Sequence, residues 1–448
     1  MKKALTTDQQ KIANPVARFS EYSDEIRSLI SNLKKLPQQP PNDQLSAILN
    51  GGATSALRRL ISIKIRKERG LFFTSDALAK KVADRLTPML KKGCKLLDPA
   101  CGAGNLLLEC ARRLPLGNDL DETLRIWSGR IFGYDLYEEF VLTAKLRLTL
   151  LALSLHPNEW DVTPNIQPDR IFKCLRVGNS FDEAAVTDKA CIVVNPPFGY
   201  VHAPAGCKWA TGQIQIAAWF LEQLMLKANK EQHVIAILPD VLRSGTRYGK
   251  WRDSISSLCK SIELEPVGRF DERTDVDVFI MHCVRTGDCV QQSQWPKALL
   301  LPGNLESVIS DLFEVRVGTV VPHRDPLEGP IHPYIHSRTA PAWETLNIIT
   351  EERRHRGRVF QPPFLVIRRT SSPSDKHRCV ATVVNEDRPV AVENHLIVLL
   401  PNDKSLESCQ QLLDLLKSTR TDEWLNTRIR CRHLTVSAVG EIPCSLGW

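Results

Sequence analysis

The sequence lacks the patterns of membrane proteins and of common metal-binding folds. No apolar run reaches the roughly 18 residues that a membrane-spanning helix needs. Its 13 cysteines include no Cys-x-x-Cys pair, which excludes zinc-ribbon and thioredoxin-type sites, and no metal site is predicted. The start, Met1 to Asp8, is basic but has no apolar stretch, unlike a secretory signal. We therefore expect a cytoplasmic protein with free thiols.

The charge of the chain lies unevenly. The 448 residues are 43% hydrophobic and 25% charged, which is enough for two or three packed domains, and the net charge is +8. Residues 1–70 hold 13 basic against 6 acidic side chains, whereas residues 301–448 hold 18 of each. The basic residues of that last segment are 15 Arg and only 3 Lys. Arginine suits bidentate contacts to phosphates and guanine edges, so nucleic acid is a permitted partner.

Three segments differ in pattern. Residues 1–69 are predicted to form short helices interrupted by a proline-rich segment. They end in a basic run that is typical of a solvated helix or of an arm that contacts DNA. Residues 70–300 alternate apolar strands with amphipathic helices, which predicts an α/β domain with a mostly parallel sheet closed by an antiparallel hairpin. Residues 301–448 predict a separate α+β domain. The strands expected in the middle segment are Cys94–Leu97, Arg130–Tyr134, Leu175–Val177, Cys191–Val194, His233–Leu238, Ile262–Val267 and Val276–Val284.

A strand, a glycine turn and a helix follow one another in Lys95–Leu106. Gly102 and Gly104 let the backbone approach a ligand closely, and the helix N-terminus adds a positive dipole end. Asp98, at the end of the strand, favours a ligand that carries an ammonium over a pyrophosphate. Such a turn is also common as a plain strand-to-helix connection.

A second acid, Asp135, ends the next strand. In this position a carboxylate binds ribose hydroxyls or caps the following helix. Asp135 comes 37 residues after Asp98, where about 20 are usual, which predicts an inserted loop around Leu114–Gly129.

The most specific motif is Asn195-Pro196-Pro197-Phe198, directly after the apolar strand Cys191–Val194. It presents an amide, two prolines and an aromatic ring in one rigid turn. An ordinary proline turn is the alternative, and the glycine turn upstream makes it less favoured.

Together with Gly70–Ser75, the glycine turn and the Asn-Pro-Pro-Phe motif resemble the amino-methylating DNA methyltransferases. The order of the motifs is similar to the gamma class of N6-adenine enzymes of bacterial restriction–modification systems. The resemblance covers residues 70–300 well, residues 301–448 loosely and residues 1–69 hardly at all. It implies a Rossmann-like methyltransferase domain at 70–300, an N-terminal helical segment at 1–69 and a C-terminal target-recognition domain at 301–448.

The resemblance implies S-adenosylmethionine as cofactor. Phe73 and Thr74 would contact its methionine end, Asp98 its ammonium, and Ala100 and Gly102 would line it.

Three further positions concern the rest of the cofactor. By the resemblance Asp135 would hold the ribose. Asn179 stands where the family has an Asp facing the cofactor adenine, and Asp182 is the other candidate for that contact. Ser75 stands where the family often has proline.

The same resemblance implies how the target base is held. Asn195 Oδ1 and the Pro196 carbonyl would each accept an N–H from the adenine amino group, and Phe198 and Phe270 would stack on opposite faces of the base. The adenine must flip out of the duplex to reach them.

The expected partner is double-stranded DNA, together with a restriction endonuclease or a specificity subunit. DNA contacts are expected from arginines of the C-terminal segment: Arg316, Arg324, Arg338, Arg353, Arg354, Arg356, Arg358, Arg368, Arg369, Arg428, Arg430 and Arg432. Two alternatives stay open: methylation of a protein glutamine or an RNA base, and a non-catalytic DNA-binding subunit that keeps the fold.

Overall fold

The computed structural model describes residues 14–33, 43–160, 166–181, 190–271, 274–286, 295 and 307–446. The α-helices, in chain order, are α1 (Ser20–Asn32), α2 (Asp43–Ala47), α3 (Ala53–Leu60), α4 (Ile63–Arg69), α5 (Asp76–Lys91), α6 (Asn105–Ala111), α7 (Leu120–Ser128), α8 (Glu138–Leu155), α9 (Pro168–Ile171), α10 (Ile216–Lys227), α11 (Asp240–Ser244), α12 (Gly249–Ser257), α13 (Ile309–Leu312), α14 (Leu406–Lys417), α15 (Thr419–Arg428) and α16 (Val436–Gly440).

The strands are, likewise in chain order, β1 (Lys95–Asp98), β2 (Ile131–Asp135), β3 (Leu175–Val177), β4 (Ala190–Val194), β5 (Tyr200–His202), β6 (Gln213–Gln215), β7 (His233–Pro239), β8 (Cys259–Asp271), β9 (Thr274–Arg285), β10 (Phe313–Val317), β11 (Ile331–Ile335), β12 (Thr345–Leu346), β13 (Glu352–Arg354), β14 (Phe364–Arg368), β15 (Ala381–Val384), β16 (Ala391–Val392) and β17 (Leu396–Pro401). None of the helices in the described part of the chain is long and apolar enough to cross a membrane.

The chain forms two compact units. The first comprises Met1–Pro239 and Lys250–Trp295, and the second comprises Asp240–Gly249 and Pro296–Trp448. The division into segments at residues 69 and 300 stays a prediction, with the N-terminal helices placed in the first unit.

The first unit is built on a seven-stranded sheet in the order β3-β2-β1-β4-β7-β9-β8. Pairing is parallel from β3 to β7 and antiparallel at β7–β9 and β8–β9. The mostly parallel sheet and its closing hairpin are therefore confirmed. The Rossmann-like α/β fold that they imply is also confirmed.

The carboxyl ends of three adjacent strands carry the predicted polar residues. β1 ends at Asp98, β2 ends at Asp135, and Asn195 directly follows β4. Because β2, β1 and β4 are parallel neighbours, these three residues lie along one edge of the sheet. Open α/β sheets bind ligands at this edge, and the reversal of strand order at β1–β4 opens the crevice for one.

The sequence analysis predicted a loop between Asp98 and Asp135. This prediction is wrong, because the insertion contains the helix α7. Asp119 caps this helix by accepting a hydrogen bond from the backbone N–H of Glu122 at 2.7 Å. Leu120, Leu124 and Trp127 are buried at helical spacing. The apolar period of a helix was thus present in the sequence and overrode the turn residues around it.

The expectation of free thiols is wrong for one pair. Cys94, next to β1, and Cys191, in β4, form a disulfide with their Cα atoms 6.4 Å apart. They are 97 residues apart in sequence. The pairing of β1 with β4 places Leu96 opposite Cys191 and so brings the two cysteines together.

The second unit has α+β character. Its five-stranded sheet has the order β10-β17-β14-β15-β12, and a three-stranded sheet has the order β13-β11-β16. Along β14, Leu365 and Ile367 pack in the core that includes α14, whereas Phe364 and Val366 pack in a second core on the other face. This alternation is the period of two that a strand buried on both faces requires.

Candidate active site

The glycine turn is held against the second strand by its backbone. The N–H of Cys101 donates to the carbonyl of Tyr134 at 2.8 Å. The N–H of Gly102 donates to Asp135 Oδ2 at 2.9 Å, and the N–H of Ala100 donates to Asp98 Oδ1 at 3.0 Å. Both predicted acids therefore lie at the turn, as the sequence pattern indicated.

Burial raises the pKa of both carboxyl groups. Asp98 is 1% exposed, and this desolvation raises its pKa to about 8 in spite of the hydrogen bond from the Ala100 N–H. Burial also raises the pKa of Asp135 to about 6, although three backbone N–H groups oppose the change. Asp98 therefore holds its proton to a higher pH than an exposed carboxyl group does. A cation placed beside it would favour its ionised form.

A small cavity lies at the turn. It measures about 30 Å³ and is lined by residues that the sequence singled out together with their neighbours: Phe72, Phe73, Thr74, Asp98, Ala100, Cys101, Gly102, Asn105, Leu106 and Asn195. That volume suits about one water molecule. The ring of Phe73 lies directly against Gly102 (φ +50°). A Cβ built on this glycine would lie only 2.8 Å from Phe73 Cε1, so a side chain has no room here.

The Gly70–Ser75 segment packs directly on the Asn195–Phe198 turn. Gly70 has φ +66°, and a Cβ at this position would lie 2.5 Å from the carbonyl oxygen of Phe198. A side chain is therefore excluded here by both the backbone conformation and the contact. Two motifs that are more than 120 residues apart in sequence meet at this point.

Asn195 is held by its amide nitrogen. Its Nδ2 donates to the carbonyl oxygen of Phe72 and to Oγ1 of Thr74, both at 3.1 Å. Its Oδ1 is buried and has no hydrogen-bond partner among the residues that the structure describes. A buried amide oxygen without a donor is costly, so this atom is available to an incoming N–H group.

Three phenylalanine rings, those of Phe72, Phe198 and Phe270, contact one another near the asparagine turn. The rings of Phe198 and Phe270 are in edge-to-face contact, with centroids 5.3 Å apart and planes inclined by 72°. A base stacked between two rings needs about 7 Å between parallel planes, twice a contact of about 3.5 Å. The two rings therefore leave no slot for a base in this arrangement, and the stacking role of Phe270 stays a prediction that requires the ring to move. Phe72 lies 6.4 Å from Phe198, with planes inclined by 28°.

Comparison with protein families gives a match that covers less than half of the chain. Residues 61–240 match the family described as N-6 DNA Methylase. The resemblance to N6-adenine DNA methyltransferases that the motifs indicated is thus confirmed over this segment. The comparison with curated proteins gives no match.

Solved structures give distant likenesses. A class I S-adenosylmethionine-dependent methyltransferase from Listeria monocytogenes is 15% identical, with a TM-score of 0.41, over 63% of this chain and 82% of that one. The type IIG restriction endonuclease BpuSI is 14% identical, with a TM-score of 0.43, over 97% and 68%. The M protein of the type I restriction enzyme EcoKI is 17% identical, with a TM-score of 0.37, over 63% and 66%.

Two of the predicted cofactor residues, Asp135 and Asn179, are not among the residues that line the cavity. Asp135 accepts the N–H of Gly102, which does line it. Asn179 is exposed, and its Oδ1 accepts a hydrogen bond from the N–H of Phe181 at 3.1 Å, which closes a local turn. The alternative, Asp182, lies outside the described residues. The contact to the cofactor adenine therefore stays a prediction.

Sequence reasoning missed two residues at the cavity: Asn105, which lines it, and Arg147, which donates a hydrogen bond to Asn105. Asn105 begins α6, and Arg147 is a fully buried cation in α8 that donates to Asn105 Oδ1 and to the backbone carbonyls of Ala103 and Leu49. A single arginine within the leucine-rich run of α8 was the available signal, because a buried charge needs several partners.

The second unit contains a wide polar cleft of about 620 Å³. Its lining is rich in Arg and His and also holds two Glu: Pro322, His323, Tyr334, His336, Ser337, Arg338, Glu351, Arg353, Arg368, Thr370, Glu393 and His395. His336 and His395 contact the carboxylates of Glu351 and Glu393 at 2.9 and 3.2 Å. The Nε atoms of Arg353 and Arg368 are buried without a partner in the described part of the chain.

Several of the arginines predicted to contact DNA form ion pairs with carboxylates, and their contact with DNA stays a prediction. Arg316 and Arg358 contact Glu314, Arg356 contacts Glu328, and Arg428 contacts Glu441 through two nitrogens. These pairs reduce the positive charge available to a phosphate. The cleft arginines Arg338, Arg353 and Arg368 form no ion pair within the described residues.

Proposed function

We propose that the protein transfers a methyl group from S-adenosylmethionine to the N6 amino group of an adenine flipped out of a specific DNA sequence, as in restriction–modification. The buried, unpartnered Oδ1 of Asn195 carries this proposal. The methylase match over residues 61–240 supports the choice of DNA as substrate.

The asparagine turn provides what amino methylation requires. The adenine amino nitrogen is a poor nucleophile because its lone pair is delocalised into the ring. Acceptance of one N–H by Asn195 Oδ1 and the other by the Pro196 carbonyl draws the nitrogen towards tetrahedral geometry and stabilises the positive charge that develops on it. This is preorganised electrostatic catalysis, which needs no covalent intermediate.

The residues at the turn suit S-adenosylmethionine, whose sulfonium supplies an electrophilic methyl group. Asp98 is a buried carboxylate suited to an ammonium, and Asp135 is a second carboxylate on the neighbouring strand suited to ribose hydroxyls. Ala100 and Gly102 would line the ligand. Only part of the cofactor would fit within the cavity of about 30 Å³, whose wall includes the Phe73 ring against Gly102.

The raised pKa of Asp98 predicts that cofactor affinity increases with pH. Below about pH 8 the free carboxyl group is protonated, and it must lose its proton to pair with the ammonium. Binding therefore releases a proton near pH 7. Affinity should rise up to roughly tenfold per pH unit between about pH 6 and 8 and then level off. Calorimetric titration in two buffers of different ionisation enthalpy measures both the affinity and the proton release.

The control for this prediction is Asp98→Asn, which cannot ionise. Its affinity should be lower and nearly independent of pH over the same range. An affinity of the unaltered protein that stays flat or falls between pH 6 and 8 would contradict the assignment of Asp98 to the ammonium.

The activity is tested directly with radiolabelled S-adenosylmethionine. Digested genomic DNA, an RNA pool and a protein extract serve as parallel acceptors. The proposal expects label only in DNA, recovered as N6-methyladenine in one sequence context. Label in RNA or in protein glutamine would replace the proposal with the corresponding methyltransferase. No transfer to any acceptor, with DNA still bound, would favour a non-catalytic subunit.

We propose that the second unit contributes the DNA contacts and the sequence reading through its cleft. Arg353 lies over the ring of Tyr334, with its guanidinium carbon 5.6 Å from the ring centre. One nitrogen of Arg353 donates to the Asp325 carbonyl, and one of Arg368 donates to the Ala340 carbonyl. These contacts fix the guanidinium groups, and preorganised forks suit bidentate contacts to phosphates.

The double substitution Arg353→Gln with Arg368→Gln should weaken binding to duplex DNA by at least tenfold at moderate salt. It should also reduce the slope of log K against log salt by about two, because each arginine would neutralise one phosphate. Arg420→Gln, at an exposed position at the start of α15, is the matched control. Fluorescence anisotropy across a salt series measures both quantities, and an unchanged slope would contradict the role of the cleft.

The restriction–modification setting implies a cytoplasmic protein that associates with DNA and works with a restriction endonuclease or a specificity subunit. These partners belong to the proposal. Co-purification with the tagged protein from the cells that produce it naturally would test for these partners.

A further inference from the structure

The orientation of the Asn195 amide is fixed by chemistry. The carbonyl oxygen of Phe72 can only accept a hydrogen bond, so the Asn195 atom that faces it at 3.1 Å must be the NH₂ group. The second hydrogen of Nδ2 is directed to the hydroxyl oxygen of Thr74, also at 3.1 Å. With both N–H groups used, Oδ1 is the atom left free.

Thr74 is itself held from behind. Its carbonyl oxygen accepts a hydrogen bond from Asn105 Nδ2 at 2.6 Å. Asn105 Oδ1 in turn accepts from Nη1 of Arg147 at 2.6 Å, and the same Nη1 donates to the carbonyl of Ala103 at 2.7 Å. Thr74 is 3% exposed, Asn105 is 6% exposed and Arg147 is 1% exposed, so water competes little for these bonds.

We propose that Thr74 is a positioning residue, whose hydroxyl orients the Asn195 amide, and that Asn105 and Arg147 fix Thr74 for this purpose. This assignment differs from the methionine contact that the family resemblance implies for Thr74. The assignment of Thr74 rests on the proposed function, because methylation of adenine supplies the amino group from which the free Oδ1 of Asn195 accepts a hydrogen bond.

The physical reason is that the side-chain amide of Asn195 can rotate by a half turn, which exchanges its oxygen and nitrogen. The terminal torsion of Asn has two broad wells related by a half turn. Without the Thr74 hydroxyl, Nδ2 keeps only the Phe72 carbonyl as its acceptor, and one hydrogen bond holds the amide less firmly against rotation than two do. A reversed amide points a donor at the donor N–H of the target, which is repulsive. The loss therefore falls on the methyl-transfer step and leaves cofactor affinity unchanged.

Thr74→Val tests this, because valine keeps the shape of threonine and removes the hydroxyl. We expect kcat to fall by about 10- to 100-fold, the range that a misplaced catalytic group costs. The Kd for S-adenosylmethionine should stay within about twofold of the unaltered protein. Thr74→Ser restores the hydroxyl and should recover most of kcat.

Asn105→Asp provides a second variant. It keeps an acceptor for Arg147 but replaces the donor to the Thr74 carbonyl by a second oxygen. We expect a fall in kcat without a loss of cofactor affinity here as well. Thermal unfolding of each variant shows whether the fold is kept.

A readout that does not require activity completes the test. The side-chain NH₂ signal of Asn195, assigned with Asn195→Ala in ¹⁵N-asparagine-labelled protein, should exchange slowly with water in the unaltered protein and in Thr74→Ser. It should exchange faster in Thr74→Val.

The outcomes separate this inference from the proposed function. If Thr74→Val weakens cofactor binding and leaves kcat unchanged, Thr74 is a cofactor ligand and the inference is overturned. An unchanged kcat and NH₂ signal in that variant would also overturn it. If the unaltered protein transfers no methyl group, the proposed function fails, and the NH₂ exchange still decides whether Thr74 orients the amide.

Discussion

Asn195→Ala should reduce methyl transfer by a factor of about 10³ or more while S-adenosylmethionine still binds with nearly unchanged affinity. The substitution removes a buried acceptor that the site leaves without a partner among the described residues. Loss of a single preorganised hydrogen-bonding group costs about 10²–10³ in kcat, and here the same group also activates the nucleophile. Single-turnover transfer of labelled methyl to DNA, with calorimetric titration of the cofactor, measures the two effects separately.

The matched control is Asn118→Ala, whose amide contacts Glu122 at an exposed position of the same unit. This variant should transfer methyl groups at the rate of the unaltered protein. Normal turnover by Asn195→Ala would refute the role of the asparagine turn.

Arg147→Met should lower the free energy of unfolding of the first unit by about 3 kcal/mol or more, because several buried acceptors would lose their donor at about 1–3 kcal/mol each. Burial lowers the pKa of the Arg147 guanidinium, which nevertheless donates to the carbonyls of Ala103 and Leu49 and to Asn105 Oδ1. Methionine fills the volume of the stem but donates nothing.

Urea unfolding followed by tryptophan fluorescence measures this change. Arg125→Met serves as control, because Arg125 is an exposed arginine of α7 in an ion pair with Glu122. Exposed pairs contribute about 0–1 kcal/mol, so the control should unfold almost as the unaltered protein does. Equal stability of the two variants would show that the Arg147 contacts are not needed for folding.

Local patterns were enough to predict the sheet and two of its acids. Short apolar runs alternating with helical periods predicted the order of strands and helices, and Asp98 and Asp135 lie where strand ends indicated. The helix α7 was missed although its buried residues follow a helical period, because the spacing between the two acids was interpreted as a loop.

Contacts distant in sequence could not be predicted in the same way. The Cys94–Cys191 disulfide depends on which strands are neighbours, and strand order is a property of the whole sheet. The contact between Phe198 and Phe270 depends on how side chains pack in the folded protein, and a short sequence motif contains no information on that packing.

The sequence by itself determined the chemical groups at the site: two carboxylates, a glycine turn and an asparagine followed by prolines and an aromatic residue. These groups occur in short segments of the sequence, and short segments control local conformation, so their types and spacing could be recognised without the fold. The tertiary structure decided which atom of Asn195 is free, since that depends on a carbonyl at Phe72, a hydroxyl at Thr74 and a buried cation at Arg147. Hydrogen-bond direction is set by the partners that folding brings together, and no local pattern contains them.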